Sequence, residues 1–314
     1  MFTSHTWEFR DFPLLFKASA AASMGISRHN LFYSGRYPVV VAGVRMDQKM
    51  TVSYPAPIWA DDDWTETAQN IRALRLKFPH IAAAGVSAAI LYGWPLPAGT
   101  PHSPLHIASD NANLRVRMPA VVLHRSRPFA VRNFFGLPVL GPAEAFILLG
   151  RTLTLHDLVR VGDAAVGNWH GPPLLGLEEL SSAVDSIRGI RALPHLRAAL
   201  DLIRPTVDSP RETDLRLWTR AVGLPEPTVH PQIFCRALNR VVEPDLGYEQ
   251  ERLALEYEGD HHRTSKSQWS RDIERDEAMR AEGWVTFRVT SRTDYALLEG
   301  KIRRHLGLQP RPRA

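Results

Sequence analysis

The fold of the C-terminal region depends on the stretch VEPDLGYEQERLALEYEGDHHR, residues 242–263. Its second half alternates two sets of side chains: Leu253, Leu255 and Tyr257 on one face, and Ala254, Glu256 and Glu258 on the other. A period of two predicts a β-strand with two distinct faces. Asp245 follows a proline at the start of the preceding strand candidate, while Glu256 and Glu258 are about 6.6 Å apart along theirs. The pattern therefore predicts several carboxylates on one part of a sheet.

Neighbouring carboxylates at this position have two interpretations. Like charges raise one another's pKa, and Mg²⁺ relieves the conflict because it binds one or two carboxylates together with waters. Asp245 and Glu256 would then be metal ligands, and the bound metal would make a water nucleophilic. Alternatively, the acids lie on the solvated face of an edge strand, where charge prevents pairing with other chains. The spacing leaves both interpretations open.

Two further residues join the candidate catalytic set of Asp245, Glu256 and Glu258. His262 follows the acidic strand, and a histidine at that point can move a proton or hold a phosphate. Glu212 belongs to a capping box with Ser209 and Pro210, which predicts the start of a helix. Capping accounts for Glu212 by itself, although its carboxylate could also lie near the cluster.

The elements from Ser209 onward are predicted in the order helix, strand, strand, helix, strand, helix. Such alternation predicts an α/β sandwich with a small mixed sheet. Cys235 lies within this region and is predicted to be a buried apolar residue rather than a nucleophile.

The N-terminal residues predict two short helices followed by a β-ribbon. The first helix covers Ala18–Ala22 and ends at Gly25, and Ser27 caps a second one that runs through Leu31. This outline is typical of a winged helix-turn-helix, whose second helix enters the major groove of DNA. It would present Ser27, Arg28, His29 and Asn30 to the bases and phosphates. The alternative is a small helical cap on a larger fold.

Residues 111–143 contain several arginines and neither Asp nor Glu. The candidate nucleic-acid contacts in this span are Arg115, Arg117, Arg125 and Arg127. Arg115 and Arg117 alternate with apolar residues, which predicts a half-buried strand with one polar face. Several arginines on one side of a sheet suit phosphate contacts, although a solvated strand face would look the same.

The composition limits the class of protein. A chain of 314 residues is long enough for two or three folded units. The net charge of +5 permits a polyanionic partner without requiring one. One cysteine excludes an internal disulfide and fits the cytoplasm, and an apolar run of about 18 residues, which a membrane span needs, is absent from the sequence. We expect boundaries that give domains 1–50, 51–205 and 206–314, the last starting after the prolines of residues 204–210.

The C-terminal sequence resembles the endonuclease-like domain related to the very-short-patch repair nucleases of the PD-(D/E)xK superfamily. The resemblance covers about residues 206–308 and is carried by SPRETDLRLWTRAVGLPEPTVHPQ, the stretch quoted above and QWSRDIERDEAMRAEGWVTFRVT. It implies a restriction-endonuclease-like α/β/α sandwich in which Asp245 and Glu256 bind Mg²⁺. Glu212 would be the helix acid, and His262 would stand where family members carry a histidine. The signature lysine of the superfamily is replaced by Glu258.

The N-terminal two-thirds is similar to proteins related to AbiEi, the antitoxin of type IV toxin–antitoxin systems. The similarity is carried by ASAAASMGISRHNLFYSGRYPVVVAGVRM, HIAAAGVSAAILYGWPLP and GLPVLGPAEAFILLGRTL. It implies a winged helix that binds DNA, represses its own operon and has a cognate toxin as partner.

Together these features predict a multi-domain α/β protein that binds DNA and carries a Mg²⁺-dependent endonuclease-like domain. In the alternative, the protein is a non-catalytic, antitoxin-like transcriptional repressor. A third hypothesis treats the nuclease-like domain as a scaffold for protein interactions.

Overall fold

A computed structural model describes residues 7–125, 129–258 and 266–310, with the side chains of 266–272 left aside. The chain divides into two compact units. The first comprises the residues up to 166 together with 170–203, and the second comprises 167–169 together with the residues from 204 onward. Residues 7–50 and the middle region therefore lie in one unit.

The first unit begins with strand β1 and a compact region around a short helix. Its elements are β1 (Trp7–Lys17), 3₁₀ turns at Ala18–Ala20 and Ala22–Met24, α1 (Arg28–Tyr33), β2 (Val39–Val41) and β3 (Val44–Pro57). The three strands form an antiparallel sheet in the order β1-β3-β2. Ser27 caps α1 as predicted, because its hydroxyl accepts a hydrogen bond from the Asn30 amide. The predicted helix over Ala18–Ala22 is wrong: two 3₁₀ turns replace it, a conformation that is frequent in short connecting segments.

A second sheet and a set of helices complete this unit. The elements are α2 (Asp62–Lys77), β4 (Ala82–Ala83), α3 (Gly85–Tyr92), β5 (Leu105–Ser109), β6 (Val121–Arg125), β7 (Val131–Phe134), β8 (Leu137–Leu140), α4 (Pro142–Leu149), α5 (Leu155–Val166), α6 (Leu177–Ser186) and α7 (Leu193–Leu200). The strands pair in the order β6-β5-β4-β8-β7. The strand predicted around Arg115 and Arg117 is wrong, because residues 114–118 form no strand and the alternation there occurs in a loop.

The second unit contains helices and a mixed sheet, as the sequence predicts. Its elements are α8 (Pro210–Ala221), β9 (Thr228–Val229), β10 (Ile233–Cys235), β11 (Arg240–Val242), β12 (Leu246–Tyr248), β13 (Leu253–Tyr257), α9 (Lys266–Ala281), β14 (Val285–Val289) and α10 (Tyr295–His305). The sheet order is β14-β13-β12-β9, in which β13 and β14 are parallel and the other pairs antiparallel. Strand β13 is therefore an interior strand, not an edge strand.

Two apolar clusters hold the second unit together. Leu253 and Leu255 of β13 pack with Leu215 of α8 and Ile302 of α10. Cys235, which is fully buried as predicted, packs with Met279 of α9 and the β10–β11 hairpin. The first cluster fixes α8 and α10 against the sheet that contains β13, and the second fixes α9 against the β10–β11 hairpin.

The helices of the described residues include none that is both long enough and apolar enough to cross a lipid bilayer.

Candidate functional site

Sheet register places Asp245 close to Glu256. Strands β12 and β13 are antiparallel, and Leu246 pairs with Leu255. Asp245 directly precedes Leu246 and Glu256 directly follows Leu255, so the two acids are neighbours at the end of the β12–β13 pairing. The Asp245 side chain is fixed by the Tyr257 amide, which donates to its Oδ2 at 2.7 Å.

Glu256 is buried, with only 8% of its surface exposed. Glu256 therefore does not lie on a solvated strand face. Its Oε1 lies 2.8 Å from Nη1 of Arg275 on α9. This contact is an ion pair rather than a hydrogen bond, and Oε1 accepts no hydrogen bond from the described residues. Burial is the largest cause that raises the pKa of Glu256; the neighbouring Asp245 raises it further, and Arg275 opposes both.

Asp245 has a similar electrostatic environment. Burial raises its pKa most, and the charge of Glu212 adds to the rise. The hydrogen bond from Tyr257 and the charge of Arg275 act in the opposite direction without cancelling it. Asp245 thus interacts electrostatically with both Glu212 and Glu256 and lies between these two acids in the network of charges.

Glu212 has a larger role than helix capping. Its amide donates to Ser209 Oγ at 3.3 Å, which confirms the predicted N-cap. Its carboxylate is buried, at 6% exposure, and Oε2 accepts a hydrogen bond from the Asp208 amide at 3.0 Å. The same oxygen lies 3.1 Å from Nε2 of His230.

His230 is a site residue that sequence reasoning missed. Its amide donates to the Asp245 carbonyl at 3.1 Å, and its backbone has a positive φ of 47°, which is uncommon for a residue other than glycine. The hydrogen bond to Glu212 is the main cause that raises the pKa of His230. In the sequence, His230 stands out only as a polar residue between strand β9 and Pro231, which is a weak indication of a site residue.

The other two candidate catalytic residues lie elsewhere or outside the description. Glu258 forms an ion pair with Arg288, which also contacts Asp276. Its carboxylate, directly after β13, is therefore paired with a cation, and both Arg288 and Asp276 also act electrostatically on Glu256. His262 lies outside the described residues.

The pair of Asp245 and Glu256 fits a hard divalent cation by its chemistry. In the ranges 7–125, 129–258 and 266–310, no group of three or more His, Cys, Asp or Glu side chains is arranged around a metal position. Mg²⁺ needs fewer protein ligands, because it keeps several waters and uses one or two carboxylates. Two neighbouring carboxylates, the half-buried Asp245 and the buried Glu256 with an oxygen that accepts no hydrogen bond from the described residues, meet that requirement.

The predicted DNA-reading residues lie on an exposed helix. Arg28, His29 and Asn30 are exposed on α1, Leu31 anchors the helix, and Tyr33 is 77% exposed. Arg45 of β3 joins the hairpin to the helix, because its Nη1 donates to the Leu31 and Tyr37 carbonyls at 2.9 and 2.5 Å. The sequence between Asp11 and Asp47 contains no acid.

The arginines of residues 111–125 bind their own loop. Arg125 donates to the Asn111 and Leu114 carbonyls at 2.6 and 2.7 Å, and Arg115 donates to the Ala112 carbonyl at 2.6 Å. These bonds fold the loop that occupies the place of the predicted strand. Arg117 is exposed, and Arg127 lies outside the described residues.

Comparisons with known proteins add little to this geometry. No family model matches the chain, and no curated protein matches it. The crystal structure of the RV2827C protein from Mycobacterium tuberculosis matches with 17% sequence identity and a TM-score of 0.41, over 60% of this chain and 72% of that one. Similarity at this level supports no conclusion about fold or function.

Proposed function

We propose that the protein binds DNA and that its second unit, a restriction-endonuclease-like α/β/α sandwich, hydrolyses phosphodiester bonds with Mg²⁺. The observation that carries the proposal is the proximity of Asp245 to Glu256 and to Glu212: the charge of Glu212 raises the pKa of Asp245, and the charge of Asp245 raises the pKa of Glu256. A fold tolerates such repulsion when a cation relieves it, and perturbed carboxylates are typical of catalytic sites.

Each residue of the site has its own proposed role in hydrolysis. Asp245 and Glu256 would hold Mg²⁺, which when bound supplies a nucleophilic water and neutralises charge that develops on the phosphate. Glu212 orients His230 through the 3.1 Å contact between Oε2 and Nε2. The contact with Glu212 raises the pKa of His230 and so favours its protonated form, and a protonated histidine can give its proton to a leaving oxygen.

DNA binding is proposed for the N-terminal part of the first unit. Helix α1 followed by the β2–β3 hairpin matches the order of a winged helix. The exposed Arg28 and the absence of acids between Asp11 and Asp47 support contact with a polyanion.

Plasmid nicking tests the hydrolytic part. Wild-type protein should convert supercoiled plasmid to nicked circles in Mg²⁺ or Mn²⁺ but not in EDTA, and Asp245→Ala should abolish the conversion. Asp294→Asn is the matched control, because this carboxylate of the same unit is exposed and caps α10. Cleavage that persists in Asp245→Ala, or absence of cleavage with either metal, contradicts the proposal.

A second candidate function is a non-catalytic, antitoxin-like repressor with a cognate toxin as partner. It is favoured by one observation: Arg275 neutralises Glu256 internally, so the cluster has a counter-ion without any metal. This candidate predicts that the protein binds its own promoter without cleaving it and that binding weakens as salt rises. An electrophoretic mobility assay in Mg²⁺ at several salt concentrations, with product analysis on the same samples, distinguishes the two.

A further inference from the structure

Arg275 is held against the acidic cluster from two sides. Its Nη1 lies 2.8 Å from Glu256 Oε1, and its Nη2 donates to the Glu243 carbonyl at 2.6 Å. Helix α9 is fixed one turn further on, where Ala278 and Met279 are buried against Ile233, Cys235 and Val242. Packing thus fixes this part of α9, and the bond to the Glu243 carbonyl holds the guanidinium beside Glu256.

The position of Arg275 conflicts with a metal at the same carboxylate. Glu256 Oε1 is buried and accepts no hydrogen bond from the described residues. A nearby cation is therefore needed to stabilise its charge. Arg275 already supplies one there, and it also acts electrostatically on Asp245. A divalent cation and a guanidinium at the same carboxylate repel each other, so each weakens the binding of the other.

We propose that Arg275 is a built-in competitor for the divalent cation: it neutralises Glu256 in the metal-free protein and is displaced when the metal binds. The proposal rests on the proposed function, since it assumes that Asp245 and Glu256 form the metal site. The displaced guanidinium remains near the site through the Glu243 carbonyl. Its planar set of N–H donors then matches the oxygens of a DNA phosphate.

This arrangement couples metal binding to DNA binding. A phosphate that binds the guanidinium withdraws it from Glu256 and thereby strengthens metal binding. By thermodynamic linkage the metal must strengthen DNA binding by the same factor. Metal-free protein would then hold DNA more weakly at this site, and the metal would be retained best when DNA is present.

Titration calorimetry with Mn²⁺ in the absence of DNA tests the competition directly. Arg275→Gln should bind Mn²⁺ about tenfold more tightly than wild type, the size expected when an ion pair no longer competes. Arg275→Lys should fall between the two, because one ammonium cannot contact both Glu256 and Glu243. Arg280→Gln is the charge-matched control, since Arg280 is exposed on the same helix, and its affinity should stay close to that of wild type.

DNA affinity measured by fluorescence anisotropy provides the second readout. Ca²⁺ should tighten binding of a short duplex by wild type, and this gain should be lost in Arg275→Gln and retained in Arg280→Gln. A residue with only a structural role would instead weaken metal and DNA binding together when replaced.

The possible failures are distinguishable. If wild type binds Mn²⁺ through Asp245 while Arg275→Gln and Arg275→Lys bind it no more tightly, the competition is refuted and the metal site stands. If wild type binds no Mn²⁺, or Asp245→Asn binds it equally well, the metal site itself is refuted and the proposed hydrolysis with it.

Discussion

Replacing Asp245 with asparagine should stabilise the folded protein at neutral pH while it removes a proposed metal ligand. Burial and the charge of Glu212 both raise the pKa of Asp245, so the ionised carboxylate disfavours the folded state. Asparagine retains an oxygen that can accept the 2.7 Å hydrogen bond from the Tyr257 amide. The substitution therefore removes the unfavourable charge and keeps the structural contact.

The expected gain is on the order of 1 kcal/mol in the free energy of unfolding, a typical size for a single-site effect. The attraction of Arg275 and His230 for the carboxylate is lost, which offsets part of the relief. A gain of this size raises the melting temperature by about 4 °C for a unit of this length.

The effect should depend on pH in a defined direction. A carboxyl group whose folded pKa is raised above its ordinary value of 3.8 destabilises the fold at every pH above that folded value. As the pH falls, the folded state takes up the proton first, so wild type regains stability. The curves of wild type and Asp245→Asn should therefore converge as the pH approaches about 4.

Thermal unfolding followed by circular dichroism at about pH 7.5 and about pH 4.5 measures both effects. Asp294→Asn is the control, because its exposed carboxylate accepts hydrogen bonds from the Ala296 and Leu297 amides and asparagine caps helices equally well. Its melting temperature should change little. The reasoning is refuted if Asp245→Asn melts at or below the wild-type temperature near neutral pH, or if a gain persists unchanged at the lower pH.

Three further predictions concern other residues of the two units. The imidazole of His230 should titrate by NMR above its ordinary pKa of 6.5, and its pKa should fall in Glu212→Gln, because the hydrogen bond to Glu212 is the main cause of the rise. The stabilisation from this contact is fully present below the ordinary pKa and is lost as the pH rises through the raised pKa of the folded state. An unchanged titration in Glu212→Gln would contradict the pairing. Leu255→Ala, at a fully buried position, should lower the free energy of unfolding in urea by about 2–5 kcal/mol, whereas Leu297→Ala, 58% exposed, should change it by less than about 0.5 kcal/mol. Arg28→Ala should weaken binding to DNA of any sequence and reduce the salt dependence of log K by about one; an unaltered salt slope would remove α1 from the interface.

Local patterns in the sequence predicted much of the second unit. Alternation at Leu253, Leu255 and Tyr257 identified strand β13, because side chains of a strand repeat every two residues wherever the strand lies. The capping signals at Ser27 and Ser209 placed the starts of α1 and α8, since a cap involves residues three apart. The same kind of reasoning failed at Arg115 and Arg117, because alternation is necessary for a half-buried strand but a partner strand is needed as well.

The sequence could not supply the partners of the acids. His230 is 18 residues from Glu212 in the chain, and Arg275 is 19 residues from Glu256 by their numbers. The members of each pair lie on or next to different elements of secondary structure, so no local pattern links them. The sequence also could not predict that the acidic face of β13 is buried. A strand face with polar side chains is normally expected to be exposed to solvent, unless a helix is known to cover it.

The sequence by itself determined which residues form strand β13 and that Asp245 and Glu256 are acids near the same part of a sheet, but it predicted a turn at Gly247, which lies within strand β12. Only the tertiary structure decided that Asp245 and Glu256 are neighbours, that α9 places Arg275 next to Glu256, and that His230 contacts Glu212. The physical reason is range: secondary structure follows from neighbouring residues, whereas strand register and helix packing are fixed by contacts between distant parts of the chain.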